Sequence, residues 1–254
     1  MFSLGSIIFH LYGLLIGVGI LVGAQVAESL RLRLIKADKL LQKFIVWDTL
    51  LYIVAFGLIG ARLYHVLDFW DYYWLHPGKI VFLWEGGMGI FGGILGGLFG
   101  AWIATKNTKV FWRLVDLVAV GAPLGQAIGR LGNYFNQEIY GLPSNLPWAI
   151  YIRQENRFLQ FFDIDRYHPL FVYEMIWNVI VLAILYSVTI NRRVKVGTGV
   201  VFTSYLGLHS LGRFFLEFLK IDPWTISGVN VAQAISLALI ILSLVNLTVS
   251  KSRR

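Results

Sequence analysis

Apolar residues in this chain come in long runs and polar residues in short clusters between them. Seven runs stand out, at about 7–27, 44–66, 84–105, 110–134, 169–190, 197–218 and 229–249. Each is close to the ~20 residues that a helix needs to cross the hydrocarbon of a bilayer. Lipid offers the backbone no hydrogen-bond partner, so a spanning run has to be helical. The pattern predicts an all-α integral membrane protein of seven transmembrane helices. Residues 135–167 are too polar to span and contain Pro143 and Pro147. They predict an irregular segment with one short helix. Residues 1–254 read as a single seven-helix membrane domain, and the first run, with no basic stretch before it, as a retained span and not a cleaved signal.

Composition sharpens this picture. The chain is 57% hydrophobic and only 14% charged, with a mean hydropathy of +0.67, whereas a soluble domain carries about 25% charged residues. A net charge of +8 invites a nucleic-acid reading. The basic residues, however, sit in short clusters between spans, where the positive-inside rule puts them. No nucleic-acid partner is expected. There is no cysteine, which excludes disulfides, thiolate metal sites and a cysteine nucleophile. The histidines show no metal-ligand spacing, so no metal is expected.

Charge also orients the chain. Fourteen Lys and Arg residues fall in 28–43, 106–113, 191–196 and the C-terminal tail, and five in the loops of the other side. The richer side is cytoplasmic, which puts the N-terminus and the 135–167 segment outside and the C-terminus in the cytoplasm. Three arginines remain within or at the ends of spans: Arg62, Arg130 and Arg213. A charge at such depth costs about 2.5–3.5 kcal/mol on insertion scales, so each needs a partner or a task.

Candidate chemistry gathers around two of them. In "IGRLGNYFNQEIYG" (128–141), Arg130 and Asn133 share one helix face, and Gly129 and Gly132 keep that turn thin. Asn136 and Glu138 follow where the chain can fold back. An arginine beside amides suits a phosphate; a simple headgroup anchor is the alternative. In "SYLGLHSLGRFFLEFLK", Tyr205, His209, Arg213 and Glu217 form one polar stripe. Arg213 and Glu217 either neutralise each other or present Arg213 to an anionic ligand. The formal G-x-G-x-x-G at Gly87, Gly89 and Gly92 lacks a preceding strand, so it reads as small-residue helix packing and not as a nucleotide site. A transporter or channel for anionic lipids or small anions would also want intramembrane arginines. It would often show paired halves, which this chain lacks.

These motifs carry a resemblance. "GRLGNYFNQEIYG" is similar to the signature G-R-x-G-N-F-x-N-x-E-x-x-G of the bacterial prolipoprotein diacylglyceryl transferases, with Tyr134 for the usual Phe. "HPLFVYE" (168–174) resembles the family's H-P-x-x-L-Y-E. "GLIGARLYHVL", "WEGGMGIFGG" and "GRFFLEFLK" resemble further family segments in the same order. The resemblance implies a multi-pass enzyme of the bacterial cytoplasmic (inner) membrane that needs no cofactor; the chain is expected to act as a monomer. It would move the diacylglyceryl group of phosphatidylglycerol onto the lipobox cysteine thiol of a prolipoprotein, forming a thioether and releasing glycerol phosphate. It implies that Arg130, Arg213, Glu217, Glu138 and Tyr12 are catalytic. It also implies that Arg130, Asn133, Asn136, Arg213 and His168 bind phosphatidylglycerol. Some members carry a histidine, proposed as the base, where this chain has Phe91. The expectation here is that the arginine field lowers the pKa of the incoming thiol and that no single histidine is a dedicated base. Tyr12, His10, Glu138, Glu217 and His168 are the candidate acceptors.

Overall fold

The computed structural model describes residues 2–4, 7–9, 11–82 and 86–252. Each apolar run carries one long helix. In chain order the helices are α1 (Leu11–Leu34), α2 (Val46–Asp68), the short α3 (Trp70–Leu75), α4 (Ile90–Thr105), α5 (Thr108–Asn136), α6 (Leu170–Ile190), α7 (Val200–Leu216) and α8 (Val231–Ser252). Of these, α1, α2, α5, α6 and α8 are long and apolar enough to cross a bilayer. Of the other three, α3 has 6 residues and α4 and α7 have 16 and 17. The protein is an all-α, multi-pass membrane protein.

The first helix starts later and ends later than hydropathy alone predicts. Residues before it form an antiparallel pair, β1 (Phe2–Leu4) with β2 (Ile7–Phe9), in the register Phe2↔Phe9. At its far end Arg31 is buried, and its charge does not stop the helix because Glu28 takes it up in a bidentate pair at 2.6 and 2.8 Å. Glu28 also accepts the Val46 N–H at the start of α2 (3.0 Å).

Tertiary contacts divide the chain into two compact units, one of residues 1–27, 118–196 and 200–254 and the other of 28–117 and 197–199. The smaller unit is built on α2 and α4. A Cβ at Gly60, Gly92, Gly96 or Gly100 would run into the backbone of the facing helix, so the glycines of the third run serve close helix packing. Arg62 is accounted for in this unit. It donates to the carbonyls of Lys79 (2.6 Å), Ile80 (2.8 Å), Phe82 (3.2 Å), Gly86 (2.5 Å) and Gly87 (2.9 Å) and lies over the Tyr73 ring. It is a clamp on the loop before α4. Asp116 is fully buried and accepts the backbone N–H groups of Gly197, Thr198 and Gly199 at 2.8–3.2 Å. It caps the turn that leads into α7.

In the larger unit α6, α7 and α8 pack in sequence, and α1 meets α5 where Gly19 and Gly23 face Gly125 and Gly121. The segment after α5 is more ordered than the sequence suggests. Strands β3 (Ile150–Tyr151) and β4 (Arg166–Tyr167) pair antiparallel. Two three-residue 3-10 turns, Gln154–Asn156 and Leu159–Phe161, stand where a short helix was expected. Tyr140, Ile152 and Tyr167 form a small buried core of their own. The Tyr140 hydroxyl donates to Asn156 O (2.7 Å), and that of Tyr167 lies 2.7 and 2.8 Å from the carbonyls of Ile164 and Phe161. Burial pushes both phenol pKa values up. A last hairpin, β5 (Thr225–Ile226) and β6 (Val229–Asn230), turns through Ser227 and Gly228, both at positive φ, into α8.

Candidate active site

The site lies in the larger unit, at the ends of α5 and α7 and the start of α6. Arg130 and Asn133 share the last turns of α5, with Arg130 Nη1 donating to Asn133 Oδ1 at 3.3 Å. The helix then closes in a Schellman motif: Gln137 N bonds Tyr134 O (3.2 Å) and Glu138 N bonds Asn133 O (3.0 Å). The left-handed residue this motif needs is Gln137, at φ 52°. Its side-chain oxygen accepts from Arg153 N (2.8 Å) and Asn156 Nδ2 (3.2 Å), which holds the elbow in place. Glu138 therefore folds back, and its Oε1 accepts from Asn133 Nδ2 (2.9 Å) and Asn136 Nδ2 (3.3 Å). Ile139 also sits at positive φ, 54°, which is costly for a β-branched residue. The strain falls on the residue next to Glu138.

The two arginines meet through a carboxylate that the sequence reading did not single out. Glu174, in the first turns of α6, is buried. One oxygen pairs with Arg130 Nε and the other with Arg213 Nη1 at 2.7 Å. Arg213 Nη2 bonds Glu217 Oε2 at 3.0 Å, and Glu217 Oε1 is 3.4 Å from Lys220 Nζ. Arg213 and Glu217 thus do pair, but not as an isolated couple, since Glu174 holds the same guanidinium. Glu217 begins a 3-10 turn just beyond α7, and its side chain is 1% exposed, while the arginines keep 25% and 28%. Among the described residues, Arg130 Nη2 and Arg213 Nε have no acceptor, which leaves at least one whole donor nitrogen on each guanidinium open to an anion. Glu174 is the only charged residue of α6. Asking which carboxylate balances Arg130 and Arg213 was the signal that could have found it.

Tyr12, on α1, reaches this turn. Its ring packs on Gly132, where a Cβ would meet Tyr12 Cε2 at 2.9 Å. His168 lies in the loop before α6 and not in the ion-pair network. Its Nδ1 is 3.1 Å from Tyr173 Oη, which also accepts from Trp148 Nε1 (2.8 Å). Its backbone bonds Gly141 and Leu142 (2.8 and 3.0 Å), so it braces the end of the signature segment. Deeper along the same helices, Gln126 Nε2 donates to Tyr205 Oη at 2.7 Å, and the Tyr205 and His209 rings are 5.9 Å apart. His10 lies outside the described residues. Among those described, no group of three His, Asp or Glu side chains is placed to hold a metal ion.

This cluster can bind an anion next to a fixed carboxylate and stabilise charge that develops on a leaving oxygen. Comparison with known proteins identifies relatives along nearly the whole chain. The family model described as prolipoprotein diacylglyceryl transferase matches residues 1–249. A phosphatidylglycerol–prolipoprotein diacylglyceryl transferase of Nostoc sp. is 39% identical over 251 residues, covering 96% of this chain and 86% of that protein. Proteins of the same name are 38% identical in Gloeobacter violaceus (96% and 90% covered) and 36% identical in Halalkalibacterium halodurans (94% and 81% covered). By a match that spans nearly its whole length, the chain belongs to the prolipoprotein diacylglyceryl transferase family.

Proposed function

We propose that this protein transfers the diacylglyceryl group of phosphatidylglycerol to the thiol of a lipobox cysteine in a prolipoprotein, forming a thioether and releasing glycerol phosphate. The observation that carries the reading is the Arg130–Glu174–Arg213–Glu217 cluster at the ends of three helices. In the reaction, the free donors of Arg130 and Arg213 bind the phosphodiester. As the C–O bond to the diacylglyceryl carbon breaks, they take up the charge that grows on the departing phosphate. Glu174 fixes the two guanidiniums relative to each other, so they need no reorganisation at that moment. Asn133 and Glu138 hold Arg130 from behind, with Asn136 at the outer edge, and Tyr12 closes the face beside Gly132. His168 supports the loop that carries this edge. The reaction as drawn needs no cofactor.

The same proposal makes 1–254 one seven-span membrane domain of the bacterial inner membrane, acting as a monomer, N-terminus outside and C-terminus in the cytoplasm. The charge asymmetry of the loops supports the orientation. A C-terminal reporter that works only outside the cytoplasm would, if active, overturn the topology. The reaction is tested in detergent with phosphatidylglycerol and a lipobox peptide, following glycerol phosphate release and the mass of the peptide. Both products must form. Movement of lipid or anion without either would make the protein a transporter.

A further inference from the structure

The reaction leaves the thiol proton without a destination. A thiol of ordinary pKa, about 8.5, is only a few per cent ionised at pH 7. The arginines offer less help than their number suggests. Arg130 and Arg213 share Glu174, and Arg213 also holds Glu217, so much of their field is cancelled at close range. Two carboxylates are engaged as well: Glu174 and Glu217 accept from cations on both oxygens, while Glu138 accepts from two amides on Oε1 alone. His168 holds Tyr173 through Nδ1 in the loop outside the ion-pair network, and Phe91 cannot take a proton.

His209 is different. It lies on α7 one turn after Tyr205 and one turn before Arg213. Tyr205 is fastened to Gln126 of α5 at 2.7 Å, and Gln126 lies one turn before Arg130. Arg213 is fastened to Arg130 through Glu174. The His209 ring therefore occupies the stretch between two ties that join α7 to α5. The charges acting on it are Glu174 of α6, Arg130 of α5 and Arg213 of its own helix. Among the described residues, neither of its ring nitrogens has a recorded hydrogen-bond partner.

The geometry points to His209 as the catalytic base that takes the proton of the lipobox cysteine, an inference that rests on the transferase reading. The S–H proton passes to a ring nitrogen of neutral His209. The sulfur attacks the diacylglyceryl carbon, the C–S bond forms and the C–O bond to phosphate breaks. The electron pair leaves on glycerol phosphate against Arg130 and Arg213. The imidazolium then releases the proton to water.

The test compares wild type with His209→Gln and His209→Asn from pH 6 to 10, using phosphatidylglycerol and a lipobox peptide, with phosphatidylglycerol binding measured separately. At pH 7 both variants are expected to be about 100-fold slower, the lower end of what a base contributes. The gap should narrow to about tenfold or less above pH 9, where the thiol ionises unaided, and lipid binding should persist. Rates within about fivefold of wild type at pH 7, or a deficit equal at every pH, would remove His209 as the base. A wild type that forms neither product would remove the transferase reading and the base with it.

Discussion

Glu174→Gln separates a positioning carboxylate from an incidental one. The substitution keeps the shape and one oxygen, so it opens no cavity, but it removes the charge that two guanidiniums share. Breaking a buried ion pair by losing one partner costs about 3–5 kcal/mol. The Glu174 side chain is 6% exposed, but Arg130 and Arg213 keep 25% and 28%, so screening by solvent places the effect at the low end, about 3 kcal/mol. If that cost falls on holding the arginines in the reacting geometry, then at about 1.36 kcal/mol per factor of ten it lowers kcat roughly 150-fold. The KM for phosphatidylglycerol should not rise, because the site has lost a negative charge and the lipid brings one. The assay is glycerol phosphate release against phosphatidylglycerol concentration at saturating lipobox peptide, alongside a melting curve of the purified variant. A kcat within about threefold of wild type, or a loss explained wholly by a smaller folded fraction, would refute the positioning role.

Three further outcomes follow from the same geometry. Arg130→Lys keeps the charge but loses the planar fork that reaches Glu174 and Asn133 together. Its turnover should fall at least about 100-fold while the protein still accumulates in the membrane, and near-normal turnover would reduce Arg130 to a headgroup anchor. Gly132→Ala drives a methyl into the Tyr12 ring, an overpacking worth about 1–3 kcal/mol. It should impair turnover as Tyr12→Ala does, and the double variant should be little worse than either single one; additive losses would show that the two do not act together. Tyr140 and Tyr167 have raised phenol pKa values from burial. Their stabilisation is complete below about pH 10 and is lost as pH rises beyond it, where the unfolded chain ionises first. The melting temperature should drop above pH 10, less steeply in Tyr140→Phe; equal slopes would count against the buried phenol.

The sequence alone determined an all-α membrane protein, because lipid forbids any other backbone and five of the apolar runs carry helices long enough to cross. It also determined that Arg130, Asn133 and Glu138 lie together, since a helix turn and the elbow after it are local structures. Tertiary structure decided the rest. Glu174 lies 44 positions from Arg130 and 39 from Arg213, and only the tertiary placement of the start of α6 beside the ends of α5 and α7 brings its carboxylate to them. The same holds for Tyr12 on Gly132, where one helix meets another that is distant in sequence. The core of Tyr140, Ile152 and Tyr167 was hidden because its strands are two residues long, too short to show an alternating pattern. Arg62 looked in sequence like Arg130 and Arg213, an arginine in an apolar span. The fold gave it five backbone carbonyls and gave the other two carboxylates with donors to spare. That difference separates a clamp from the proposed anion site, and it depends on which distant segments each guanidinium meets.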